Sequence, residues 1–157
     1  MAGRNFNGVQ INQSVTITEK AGAVMEDCRN RAMVYDENGT VVPASDGTKP
    51  IVGIALIEAG FNDVSGKESG KVAAGEDVDI QIKDIGYILA GAEIVKGAEV
   101  TAGAGGLAAP AESGDYVIGI ALDSAGEDDY CRLQIAKYQK GGSTAAGSGA
   151  GSENGKG

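Results

Sequence analysis

The pattern Gly53-Ile54-Ala55-Leu56-x-x-Ala59-Gly60 recurs in this chain as Gly119-Ile120-Ala121-Leu122-x-x-Ala125-Gly126. The match extends upstream without gaps. At the same offset Ala32 meets Ala98, Val34 meets Val100, Gly39 meets Gly105, Val41 meets Leu107, Asp46 meets Glu112, and Ile51-Val52 meets Val117-Ile118. After a longer insertion in the first copy, Ile80-Gln81-Ile82 meets Leu133-Gln134-Ile135. A chain that spells one unit twice is constrained to build the same supersecondary piece twice. Each copy reads as hairpin, connecting loop, apolar strand ending in Ala-Gly, and alternating strand. Neither copy is expected to bury its apolar strand alone. Two copies packed face to face, as a small barrel or a sandwich with pseudo-twofold character, are therefore the predicted architecture. Gly53 and Gly119 fall inside their strands, which predicts a close backbone approach or a bulge there.

The strand signals are short and evenly spaced. Val15-Thr16-Ile17-Thr18 alternates and is β-branched. Met33-Val34-Tyr35 and Thr40-Val41-Val42 flank Asp36-Glu37-Asn38-Gly39, a hairpin with an Asn-Gly turn. Ile51 to Leu56 and Val117 to Leu122 are continuous apolar runs suited to strands buried on both faces, whereas Val78 to Ile82 alternates as a half-exposed strand should. Ile85 to Leu89 is a further short run. Ala21, Val24, Met25, Cys28, Ala32 and Tyr35 fall at helical spacing, which admits one short helix between about residues 21 and 31.

Two ends flank this β body of residues 15–138, whose units span about 15–82 and 83–138. Residues 1–14 are polar, with isolated Phe6, Val9 and Ile11, and read as an extended arm. From Gln139 to residue 157 the composition becomes Gly, Ser and Ala, a flexible tail with too little apolar surface to fold.

Composition narrows what such a body can do. Hydrophobic residues make up 42% but aromatics only 4%, with no Trp, so the core must be Val, Ile, Leu and Ala. The 26 glycines follow no three-residue period and indicate tight turns. A formal charge of −9 disfavours nucleic acid and anionic membrane surfaces, both of which need clustered Lys and Arg. No apolar run approaches the length of a membrane span, and the amino-terminal residues lack an apolar signal region, so the chain is expected to be made in the cytosol. Cys28 and Cys131 show no metal-ligand spacing, and two buried thiols are the simpler reading than a disulfide.

Histidine is absent, which removes the commonest general base and metal ligand and the partner of nucleophilic Ser or Cys. Ser65-Gly66-Lys67 lies in a Gly-rich loop and reads as a solvated turn. Gly103-Ala104-Gly105-Gly106 aligns by the repeat with a hairpin turn and has no following helix to present amides to a phosphate. Glu127-Asp128-Asp129 lacks the alternate-residue spacing of a calcium loop. Asp77 and Asp79 share the exposed face of one strand. No catalytic, cofactor-binding or metal-binding residues are expected.

The ordered set Asp36 to Ala44, Ile51 to Leu56 and Ala74 to Val78 resembles the first half of the phage capsid decoration (cement, or head stabilisation) proteins. The second half, Ala90 to Thr101 followed by Gly114 to Leu122, is similar to the same family and closer still. The likeness covers roughly residues 15–138. It implies a β-rich virion protein that binds the outer surface of a shell assembled in the host cytoplasm and bridges subunits of the major capsid protein as a homotrimer. On that reading Phe6, Val9 and Ile11 of the arm are the capsid or subunit contacts, suited to strand addition at a sheet edge. The competing reading is a lipoyl- or biotinyl-like carrier with Lys96-Gly97 at a turn, although the usual flanks of a modified lysine are missing.

Overall fold

The computed structural model describes residues 15–61, 64–65 and 67–142. The protein is mainly β, and the duplication is exact at the level of topology. The first unit contains β1 (Thr16–Lys20), β2 (Ala32–Tyr35), β3 (Val41–Pro43), β4 (Ile51–Ala55) and β5 (Asp77–Gln81). The second contains β6 (Ile85–Leu89), β7 (Glu99–Ala102), β8 (Ala108–Pro110), β9 (Tyr116–Ala121) and β10 (Tyr130–Gln139). The two five-stranded antiparallel sheets run β1-β5-β4-β2-β3 and β6-β10-β9-β7-β8, the same order twice.

The backbone hydrogen bonds between elements repeat as well. Ala21 meets Val41 in an isolated parallel bridge, as Ala90 meets Ala108. Met25 meets Val72 as Ile94 meets Ala125. The parallel bridge joins the continuation of one edge strand to the other edge strand, so each sheet curls around its own inner face. Neither sheet is closed.

The curl gives the first unit an interior of its own, but its apolar strand β4 still needs the second unit to cover its other face, as expected. One core cluster, including Met33, Val52, Ala55, Val72, Val78 and Ile80, draws every member from the first unit. The strand β4 divides its residues between two cores, and a bulge opposite Met33–Val34 breaks its strict alternation. Val52 and Ala55 face the first unit's interior, while Ile51 and Ile54, with Ala32, Val34 and Ala44, share a cluster with Ile118, Leu133 and other residues of the second unit. Burial on both sides explains why the run is apolar throughout.

Gly53 and Gly119 do mark close approaches. A Cβ on Gly53 would collide with the carbonyl oxygen of Gln81 on β5, and one on Gly119 with that of Gln134 on β10.

The gapless alignment is one residue out of step across the hairpins. Asp36 N–H donates to Thr40 O and Gly39 N–H to Asp36 O, matched by Gly103 to Leu107 and Gly106 to Gly103. Gly39 thus corresponds to Gly106, both at φ 75°, and Pro43 to Pro110. The compensating deletion lies in the loop before β9. The first turn is a three-residue loop with the glycine in the left-handed position, closed by Asp36 Oδ1 accepting from the Asn38 and Thr40 amides, so it is not a two-residue Asn-Gly turn.

No α-helix forms between residues 21 and 31. The apolar residues at helical spacing are anchored one at a time to other elements: Met25 N–H to Val72 O, Cys28 N–H to Gly70 O, Asn30 N–H to Ala55 O. An extended lid over a curled sheet buries every third or fourth residue too, and this defeats the periodicity. The helical element among the described residues is a single 3-10 turn at Ala104–Gly106.

The carboxy-terminal strand runs beyond the point where the repeat ends. Tyr138 and Gln139 pair with Val117 and Tyr116. Tyr138 Oη donates to Glu99 at 2.6 Å, and the Lys140 ammonium lies 2.7 Å from the same carboxylate. Those two partners hold the Glu99 carboxyl below its ordinary range.

Replacing Gly119 with Ala should destabilise the protein by about 1–3 kcal/mol, since the methyl meets backbone that cannot move aside. Gly53→Ala should cost a similar amount. Urea denaturation checks both, against Gly114→Ala, where nothing stands within 4 Å of the new methyl and only the φ of 93° is strained.

Candidate functional site

The two units meet along a stitched seam. Asn30 lies at φ 54°, in a left-handed conformation that L residues adopt at a cost. Its repeat equivalent is Gly97, which makes the same bond to Ala121 O that Asn30 makes to Ala55 O. The first unit therefore places a side chain where the second has none. That side chain crosses the seam: Nδ2 donates to Tyr87 O at 2.9 Å, and Asn30 O accepts from Leu89 N–H at 3.0 Å. Asn30 thereby covers the outer edge of β6 with one donor and one acceptor, as a neighbouring strand would. Further ties cross the same seam. Gly106 N–H donates to Ala44 O, Tyr116 N–H to Gly47 O, and Lys137 Nζ to Val52 O.

Above the stitch lies a groove of about 380 Å³ shared by both units. It is lined by Ile54, Ala55 and Leu56 at the end of β4, by Asn30 and Gln81, and by Tyr87 and Tyr130. Strand alternation sends Tyr87 and Tyr130 outward, because Gly86, Ile88 and Cys131 take the inward positions. Ile57, Tyr87 and Tyr130 stay 47%, 53% and 55% exposed, a concentration of apolar surface in a chain with few aromatics. Glu58 supplies the charge at the rim. Gln81 is fixed by Nε2 bonds to Lys83 O and Ile85 O across the turn between the units. Asn30 is 5% exposed, and its Oδ1 has no hydrogen-bond donor. An acceptor left unpaired in so buried a setting is uncommon and costs free energy.

The chemistry expected from sequence is distributed as follows. Phe6, Val9 and Ile11 lie outside the described residues. Cys28 and Cys131 are free, buried, and assigned to different core clusters. Burial pushes both thiols up to about 11, with the nearby carboxylates of Asp27 and Asp123 adding to the shift. Glu127, Asp128 and Asp129 form a turn in which Asp128 takes the left-handed position held by Gly75 in the first unit. Among the described residues no group of three acidic or thiol side chains is placed to hold a metal ion. Asp77 pairs with Lys20 at 2.6 Å, and Asp79 accepts from Thr18, on the exposed face of β1 and β5. Lys96 stands on an exposed turn before β7, its amide bonded to Ser124 Oγ.

The groove was not foreseen from sequence. The apparent helical spacing over residues 21–31 concealed Asn30, and Tyr87 carried no signal beyond its place in a short strand. The repeat read without gaps set Asn30 against Lys96, and only the hydrogen bonds of the structure set it against Gly97.

Fold and seam together define a duplicated antiparallel β protein with a groove between its halves. Among solved structures it is similar to the N base of the head fiber gp8.5 in bacteriophage phi29, at a TM-score of 0.55 and 21% identity, covering 78% of this chain and 93% of that one. At that identity the likeness is one of fold. No family model and no curated protein matches the chain.

Two measurements test this description. Asn30→Ala should lose about 2–3 kcal/mol, combining the left-handed strain with a lost buried hydrogen bond, while Asn30→Gly should lose only about 1. In addition, with thiols near 11, Cys28 and Cys131 should react with a thiol reagent at pH 8 at least roughly a hundredfold more slowly in the native protein than after denaturation, as thiolate is the reacting form.

Proposed function

We propose that this chain is a structural protein of a phage virion that sits on the outer surface of the assembled capsid and bridges major capsid subunits as a homotrimer. The observation that carries the reading is the duplicated β fold, shared over most of both chains with the N base of a phage head fiber. The ordered motifs from Asp36 to Leu122 support it independently, because their resemblance is to capsid decoration proteins.

The proposed mechanism is mechanical. A rigid two-unit body spans a joint between shell subunits, and pulling the subunits apart requires breaking its contacts as well. The body suits that task, since one core lies within the first unit, a second is shared by both units, and backbone ties cross the seam. Docking involves the amino-terminal arm, whose residues Phe6, Val9 and Ile11 anchor an added strand. The reading includes no catalytic step, and a chain without histidine is suited to that.

Purified protein mixed with heads that lack it should co-sediment saturably and give density at repeated surface positions by cryo-electron microscopy. Deleting residues 2–14 should abolish this binding while the body stays folded, as far-UV circular dichroism would show. Failure of the intact chain to bind mature heads would overturn the capsid role. Full binding by the deleted chain would remove the arm from it.

A further inference from the structure

We propose that the groove between the two units is the seat for the chain's own amino-terminal segment, with Phe6 entering between Tyr87 and Tyr130. The proposal concerns the free protein and does not depend on the capsid reading.

Three observations converge on this occupant. The first is where the segment joins the body. Val15 O accepts from Ile82 N–H at 3.0 Å, and Thr16 pairs with Gln81, whose side chain forms part of the groove wall. The chain therefore leaves β1 beside the groove. Phe6 precedes Val15 by nine residues, a reach of up to about 30 Å when extended. A tether that short keeps the segment at an effective concentration on the order of millimolar, so a weak seat is filled.

The second is chemical fit. The groove offers a mostly apolar, half-exposed surface, and Phe6, Val9 and Ile11 are large apolar residues of a segment that has no proline. Arg4 is the single charged side chain among residues 1–14, in a chain of net charge −9, and Glu58 stands at the groove rim. The third is Asn30, which lines the groove and whose buried Oδ1 has no donor. A seated segment that shifts this amide enough to uncover the oxygen brings donors to it, since Asn5, Asn7 and Gln10 flank Phe6 and Val9.

Seating the segment has a consequence for solubility. Covering the tyrosines and Ile57 removes an exposed apolar patch at the seam, the kind of surface through which free copies associate.

The test uses the full chain. Phe6→Cys with Ile57→Cys places one new thiol in the segment and one at the half-exposed groove edge, and the buried Cys28 and Cys131 stay silent. Under mild oxidation this pair should close an intramolecular disulfide at least tenfold faster than Phe6→Cys paired with Val24→Cys or Val95→Cys, two exposed positions that do not line the groove. Equal rates for all three pairs would overturn the seat, and a disulfide-linked dimer would overturn it in favour of a neighbouring copy's segment. Deleting residues 2–14 gives a second readout, which should raise iodide quenching of tyrosine emission. Unchanged quenching would count against the proposal. Neither readout involves a capsid, so failure here is distinguishable from failure to bind heads.

Discussion

Each sheet curls because one carbonyl is allowed to enter the space a side chain would fill. At Gly53 the Gln81 oxygen lies where a Cβ would be, and at Gly119 the Gln134 oxygen does. A larger residue at either place would hold the two strands apart and flatten the sheet. The edge strands could then not approach at Ala21–Val41 and Ala90–Ala108, and the inner faces would lose their cover. Burial of Val and Ile side chains, worth about 1.5–3 kcal/mol each, depends on that cover in a chain with hardly any aromatic residues to fill gaps. Two backbone contacts thus support the curl on which the packing of this aliphatic sequence rests.

Given two such units, the departures from the repeat show how they join. Where the second unit has Gly97, the first has Asn30 and uses its amide to cover the edge of β6. Where β5 ends at Gln81 and the chain turns into the second unit, β10 continues to Gln139 and pairs with the start of β9. The outward residues Ile51 and Ile54 of β4 face the other unit and are buried, while Ile120, the counterpart of Ile54, is only partly covered. The core positions stayed alike because both sheets must solve the same packing problem. The seam positions diverged because a single copy of each unit has to present a different surface there.

The residues that carried a two-period or a repeat were readable in advance. The alternating strand at Asp77–Gln81, the short run at Ile85–Leu89 and the hairpins on either side of Gly39 and Gly106 follow from periodicity and turn chemistry. What misled was a pattern with two physical causes. Ala21, Met25, Cys28 and Ala32 are buried at helical intervals, but by a lid bonded residue by residue to strands and loops of the same unit. Gapless alignment failed for a related reason. Small residues are so common that Gly39 matched Gly105 as well as it would Gly106, and since both are left-handed only the closing hydrogen bonds tell them apart. The groove was illegible because it belongs to no element. It exists only where the end of β4 in one unit passes the outward tyrosines of the other.

A separation of tasks follows from this arrangement. The conserved geometry inside each unit, glycines pressed by carbonyls and aliphatic side chains on inner faces, has no spare surface for a partner. The seam does, because it is built from the residues the repeat left free to change. Tyr87 and Tyr130 are outward on strands whose inward positions are fully committed, so altering them leaves both cores intact. Asn30 differs from them in answering to both demands. Its backbone must hold the left-handed turn and its amide must join the units, and the oxygen that remains unpaired is the atom through which an occupant of the groove would act on the seam. A segment donating to that oxygen would tighten the junction it sits on, so occupancy of the groove and rigidity of the two-unit body are expected to rise together.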